Sequence, residues 1–540
     1  MRVSALTVVA VMTFLAGFAR AEIASAGESS SDVATRIDAL LREELPLAAE
    51  QSETPICDDA TFLRRVTLDI TGQLPTPGKV TSFSLDPDPA KREKLVEELL
   101  ASREFGTNWG RYWRDVVMFR RNDERGLIAA GSLQAFLTKS LNENKPWDAV
   151  ATELITASGD VRENGATGLI MAQQGRPEDT VAEISRIFLG VQIQCAQCHD
   201  HPTDRWSREQ FHELAAFFPR VAVRPRNTDG ARSFAVVVDE GPVFRRSNNN
   251  NRFRGTPEHY MPDLDDPQAR GTRMQPVFFI NDQKLPVGTR DAKRRDSLAE
   301  WITAEDNPWF ATALVNRMWA ELVGEGFYEP VDDLGPDRDG TAPKTVEYLA
   351  EQFAAHDYDV KWLFTTIAAT QAYQRSIQPR RQANETPFAA NCAQPLRADQ
   401  LYEALSQALG MRELQTRGRG PYGGIGGPRT QFAQVFSYDP SDPRDEVEGS
   451  IPQALALMNS QQINALISAS PYTPLGRLLR STPDNEDVVV ELYLRCLARE
   501  PSERETMTCL QYVKSTGDRN EAFEDVLWAL INSTEFLYRK

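Results

Sequence analysis

The sequence predicts a mainly α, multi-helical two-domain protein with an irregular, partly β insertion around residues 219–286. Three observations carry this. Apolar residues recur at three- and four-residue spacing along most of the chain. Helix-starting and helix-stopping residues bracket those stretches. Between Pro219 and Pro286 the pattern gives way to β-branched runs, asparagines and prolines. A chain of 540 residues is too long for one core, and about two to four domains suit that length. Its 41% hydrophobic and 25% charged residues are ordinary for a globular protein, so patterning decides the class and composition does not.

The first 21 residues form an export leader. Arg2 supplies an early positive charge, Val8 to Phe18 is apolar, and Ala19-Arg20-Ala21 fits the small-x-small cleavage rule, with Ala24-Ser25-Ala26 as a second option. The apolar run falls short of the ~20 residues that a membrane helix needs, and no later segment approaches that length. The expectation is an exported protein, periplasmic or extracellular at the cell surface, with no transmembrane segment after the signal. Residues 22–31 are small and polar, a linker.

A helical domain is expected over 32–218. Phe62, Val66 and Ile70 fall on one helical face that Thr71-Gly72 closes. Pro75 and Pro77 mark a loop before a further helical stretch ending near Leu100. Trp109, Tyr112, Trp113, Val116 and Val117 form an aromatic-rich stripe of core type, and Trp147 to Ile155 is again helical. Glu178 to Gly190 carries Val181, Ile184, Ile187 and Phe188, with Gly190 as its stop. Ser207 and Gln210 make a capping-box signature for a helix with Phe211, Leu214, Ala215 and Phe218 on its apolar face.

In the insertion, Phe234 to Val238 has the character of a strand, whereas Asn248 to Asn251 and the nearby prolines are loop. The C-terminal helical domain, 287–540, opens with periodic residues from Asp291 to about Arg375. Gly418 to Gly427 contains six glycines but lacks the Lys-Ser/Thr of a phosphate loop and the setting of a dinucleotide fingerprint, so it is a loop. Ile451 to Ile467, Asp487 to Leu497 and Phe523 to Ile531 are amphipathic helices. No repeat with a period of about 20 to 50 residues is evident.

The net charge of −17 becomes about −19 once Arg2 and Arg20 leave with the leader. That balance excludes the basic footprint of a nucleic-acid binder. Of the six cysteines, Cys57, Cys392, Cys496 and Cys509 stand apart from any motif, and an oxidising compartment favours their pairing. Four cysteines allow three connectivities, which the sequence leaves open; the preferred pair is Cys496 with Cys509, on successive C-terminal helices.

Chemistry concentrates in Cys195-Ala196-Gln197-Cys198-His199. Covalent haem attachment requires two thiols that add to the vinyl groups and an imidazole directly after them as axial ligand. Cys195, Cys198 and His199 meet that requirement, which makes haem c the expected cofactor. Two other readings remain open. Cys195, Cys198 and His201, with His199 or His212, could hold zinc, or Cys195 and Cys198 could close a disulfide. Candidates for a sixth iron ligand are Met261, Met274, His259, His212 and Met318; His201 lies too close along the chain to reach the opposite haem face and fits a supporting hydrogen bond better. Asp200 either orients an imidazole or caps a turn. No nucleophile elbow, His-Glu-x-x-His or phosphate loop is present. The acidic runs Asp332-Asp333 and Asp439 to Glu448 are expected to be solvated turns, since their spacing does not suit a calcium loop.

Several runs together resemble a known pair of families. Phe62-Leu63-Arg64-Arg65-Val66-Thr67-Leu68-Asp69-Ile70-Thr71-Gly72-Gln73-Leu74-Pro75-Thr76 resembles the opening of a planctomycete cytochrome-type domain of unknown function, number fifteen forty-nine. Phe188-Leu189-Gly190-Val191-Gln192 through Cys195 to Pro202 resembles its central motif. Asn307-Pro308-Trp309-Phe310-Ala311, Val315-Asn316-Arg317-Met318-Trp319, Pro330-Val331-Asp332-Asp333-Leu334, Pro395-Leu396-Arg397-Ala398-Asp399-Gln400-Leu401 and Leu457-Met458-Asn459-Ser460 resemble its planctomycete-specific C-terminal partner, number fifteen fifty-three. The resemblance implies an extracytoplasmic, cytochrome-related role within a family of unsettled activity. Larger members often begin with an extra cytochrome c domain; here Asp32 leads almost directly into the first family motif.

The expected function is that of an exported c-type-cytochrome-like protein performing electron transfer or haem-based redox chemistry, with a redox partner protein. The alternative is a non-redox surface or assembly protein in which Cys195 to His201 is a disulfide or zinc staple. A hydrolase or oxidase acting on polysaccharide is suggested only by the extracellular setting, and no residue constellation supports it. The oligomeric state has no signature in the sequence.

Overall fold

The structure, a computed structural model, describes residues 28–47, 54–119, 124–228, 230–239, 258–378, 386–410, 427–443, 447 and 449–539. The expected leader, most of the 22–31 linker, Asn248 to Asn251 and Gly418 to Gly426 lie outside the described residues.

Helices dominate, and their ends follow local rules. Ser29, Asp58 and Thr76 each accept a backbone N–H at the start of the helices Ser30–Glu44, Asp59–Thr71 and Pro77–Leu85. Gly72 closes the second of these in the left-handed region, at φ 70°, as its position after Thr71 predicts. The stretch ending near Leu100 is two helices, Pro77–Leu85 and Lys91–Ala101. Helix Arg103–Met118 buries its aromatic stripe, and the Trp109 indole N–H donates to the Asp69 carbonyl at 3.0 Å. The stripe is core. The Ser207 capping box opens helix Arg208–Ala215 as expected. None of the described helices is long and apolar enough to cross a membrane.

The partly β region is a hairpin, β2 (Val221–Thr228) with β3 (Ala231–Val238), joined on β3's far edge by the short β1 (Gly159–Asp160). All pairings are antiparallel, with Val221 opposite Val238 and Gly159 opposite Val236. Two further ladders of two residues each follow, β4 (Tyr260–Met261) with β5 (Thr272–Arg273) and β6 (Val277–Phe278) with β7 (Gln283–Lys284). The remainder between them is turn and loop.

The buried apolar side chains form two clusters. One core runs from Val33 through Phe62, Trp147 and Phe211 to Leu314, Phe353 and Phe388. A second gathers Leu396 to Phe536. Helix Asp59–Thr71 serves both: Phe62, Leu63, Val66 and Ile70 lie in the first, Leu68 in the second. Helix Ser30–Glu44 reaches across the chain, where the Glu44 carboxylate accepts the Lys344 and Thr345 N–H groups at 2.9 Å each and so caps helix Pro343–Ala355.

Buried polar side chains tie helix Asp59–Thr71 to the chain's other end. The Asp69 carboxylate receives Arg539 Nε at 2.7 Å and the Tyr373 hydroxyl at 2.8 Å. Arg65 donates to the Tyr373 and Arg375 carbonyls, and Arg64 to those of Cys496, Glu535 and Phe536. Arg539 sits on the last short strand, which pairs antiparallel with Gln394–Pro395.

No disulfide joins the cysteines, so the preferred Cys496–Cys509 pair is not formed. Cys496 is fully buried, in the second core. Cys509 is half-buried on the next helix, where it is hydrogen-bonded to the Tyr493 side chain. Succession of helices along the chain does not make their cysteines face each other.

Candidate functional site

The motif is delivered by an irregular helix end. Helix Pro177–Ile184 widens into a π turn over Ser185–Leu189, which Gly190 stops at φ 66° with its N–H on the Ser185 carbonyl. The Ser185 hydroxyl then bonds the Val191 carbonyl at 2.9 Å and turns the chain outward. A Cβ on Gly190 would stand 2.7 Å from Leu334 Cδ1, in addition to the strain of a positive φ. Gly190→Ala is therefore expected to lower stability by about 1–3 kcal/mol. Urea unfolding of the variant checks this, and an unchanged midpoint contradicts the close approach.

A 3₁₀ turn, Ile193–Gln197, follows, with Ile193 and Ala196 buried as anchors. The alternate positions point outward, so Cys195, Cys198 and His199 are all exposed. His199 Nδ1 lies 2.7 Å from the Asp200 carbonyl oxygen. A carbonyl can only accept, so Nδ1 carries the proton and Nε2 keeps its lone pair. Asp200 fulfils both roles weighed for it. Its main-chain oxygen fixes the imidazole, and its carboxylate accepts the Arg208 N–H at 2.9 Å at the start of the next helix. His201 supports the loop: its N–H donates to the Trp206 carbonyl at 2.8 Å, and its Nδ1 accepts from Thr203 N at 3.3 Å.

Beneath the loop lies a pair of buried histidines. His212, 1% exposed, has Nε2 3.1 Å from the Gln197 carbonyl and Nδ1 2.9 Å from His259 Nε2. His259 Nδ1 in turn faces Glu178 Oε1 at 3.8 Å. Burial pushes both imidazoles down to about 4, and for His212 the neighbouring ring adds to the effect, so both are neutral at pH 7. The carbonyl then assigns Nε2–H to His212, and His259 donates its own Nε2–H onward. Both ring nitrogens of His212 are occupied. It props up the residue before Cys198 and is not brought to Cys195 and Cys198 as a further zinc ligand. Among the described residues, no three His, Cys, Asp or Glu side chains converge as a metal site. Of the other candidate iron ligands, Met318 is enclosed in the first core, Met274 is buried, and Met261 is half-buried on β4.

Residues 36–223 match the family described as PSCyt2, a protein of unknown function (DUF1549). Residues 294–425 match PSD1, a protein of unknown function (DUF1553). The chain carries this domain pair, in this order. No curated protein and no solved structure matches it.

The PSCyt2 motif rests on the PSD1 segment. Leu334 N–H donates to the Gly190 carbonyl at 2.7 Å, and Gln192 Nε2 to Asp332 Oδ1 at 2.9 Å. Arg338, also from PSD1, bonds the Thr203 carbonyl and hydroxyl at 3.3 and 3.0 Å. Asp332 was expected to be a solvated turn residue; it is 1% exposed. Burial alone would raise its carboxyl, but Arg317 at 3.3 Å and Arg186 at 2.8 Å outweigh that and hold it below the usual range, so it is a buried anion. Sequence reasoning missed it because two adjacent acids look alike whether solvated or paired. The run Pro330 to Leu334, which matches the PSD1 pattern, carried the available signal. The His212–His259 pairing had none, since its members lie 47 positions apart.

Proposed function

We propose that Cys195 and Cys198 would hold a covalently attached haem c, with His199 Nε2 as a ligand to its iron, in an exported protein that exchanges electrons with a redox partner protein. The observation that carries the reading is the His199 ring. Its Nδ1 is committed to the Asp200 carbonyl, which leaves Nε2 of this exposed residue as the ring nitrogen for an iron ligand. The two thiols are also exposed and belong to the same short turn. Haem bound there would supply one-electron chemistry. The chain's contribution is positioning: Asp200 orients the imidazole, His212 holds the Gln197 carbonyl, and Asp332 holds Gln192. The leader-like N-terminus supports export, which agrees with the extracytoplasmic setting of covalent haem attachment.

The test is the absorbance spectrum of the full chain, expressed with a haem c maturation system and purified. A Soret band with a pyridine haemochrome spectrum of c type is expected. Stoichiometric zinc, or a Cys195–Cys198 disulfide, with no Soret band would overturn the reading in favour of a structural staple in a non-redox surface or assembly protein.

A further inference from the structure

A second feature lies on the far side of His259. A cavity of about 770 Å³ opens between the start of helix Pro177–Ile184, the β2 strand and the loop before β5. Four guanidinium groups from four separate elements line it: Arg125, Arg176, Arg224 and Arg270. Against them stand one carboxylate, Glu178, and the neutral His259. Among the described residues the lining thus carries four arginines against one carboxylate, in a chain whose net charge is −17.

Two of the arginines are held by aromatic faces. Arg270 stacks on Tyr260 at 4.2 Å and Arg125 on Phe234 at 5.7 Å. Stacking restrains a guanidinium plane and leaves its N–H edge for an acceptor, which lowers the entropy lost on binding. Among the described residues, Arg176, itself exposed, pairs with Asp179 at 3.6 Å. It stands at the N-cap of helix Pro177–Ile184, whose first turn has no side-chain cap and carries Glu178 and Asp179.

We infer that this cavity is a binding site for a small multivalent oxyanion, a molecule whose phosphate, sulfate or carboxylate oxygens are gripped by the forks of Arg125, Arg176 and Arg270. Planar guanidinium groups bind such oxygens two at a time, and several converging from different elements select for more than one negative oxygen. The site needs no haem and stands independently of the reading given for Cys195 to His199.

The experiment is calorimetric titration of the full chain with inorganic phosphate, sulfate and citrate, each at low and at physiological salt. Saturable binding of at least one, at one site per chain and weaker at high salt, is expected. The phosphate and sulfate arms together separate tetrahedral from carboxylate recognition by citrate. Arg176→Glu and Arg270→Glu change exposed side chains, so folding should persist; thermal unfolding without ligand verifies it. Each variant should weaken binding at least tenfold. No binding by any of the three anions, or equal binding by a folded double variant, overturns the inference.

Discussion

Asp69→Ala is expected to destabilise the protein by about 3–5 kcal/mol, the cost of removing one partner from a buried ion pair. Asp69 is 4% exposed and receives both the Arg539 guanidinium and the Tyr373 hydroxyl. Alanine leaves Arg539, itself buried, with the Leu322 carbonyl but without this counter-charge, and Arg65 lies behind the same Tyr373 ring at 5.7 Å. Asparagine keeps the shape without the charge, so much of the loss should persist in Asp69→Asn. Urea unfolding followed by tryptophan fluorescence and by far-UV circular dichroism measures it. A loss below about 1 kcal/mol, the range of an exposed pair, would show that Asp69 does not carry this junction.

The second large effect concerns the haem reading. Cys198→Ser is expected to weaken the covalent haem stain, because a hydroxyl forms no thioether and only Cys195 remains to form one, and the double change with Cys195→Ser should abolish it. Both side chains are exposed, so each change should alter stability by no more than about 0.5 kcal/mol. Unfolding would therefore not explain the loss. The readout is haem-dependent peroxidase staining after denaturing electrophoresis, beside a stability measurement on the same sample. An unchanged stain in the double variant would end the assignment of both cysteines.

Features set by neighbouring residues were legible in the sequence, and features set by distant ones were not. Gly72 and the Ser207–Gln210 capping box mark helix ends within four positions, and the Trp109 stripe declares a buried face by period alone. The Cys195 to His199 chemistry is equally local. Its support is not: Gln192 meets Asp332 across 140 positions, and Asp332 becomes a buried anion only because the fold brings Arg186 and Arg317 to it. The Cys496–Cys509 expectation failed for a related reason. Sequence order places two helices side by side but does not fix how each is rotated, and Cys496 is turned into the core. The local pattern changes at the insertion, and the larger apolar cluster holds residues from both sides of it, such as Phe211 and Leu314, since burial depends on what packs together.

Helix Asp59–Thr71 gives this chain a particular kind of inheritance. One of its faces completes the first core, Leu68 joins the second, Arg64 holds the Cys496, Glu535 and Phe536 carbonyls, and Asp69 holds Arg539 of the last described strand. Recombination within the insertion would deliver two fragments, each with half an interior and a row of buried charges facing solvent. The PSCyt2 and PSD1 segments are in that sense one unit of descent, and a lineage that lost either would have to rebuild the surface of the other.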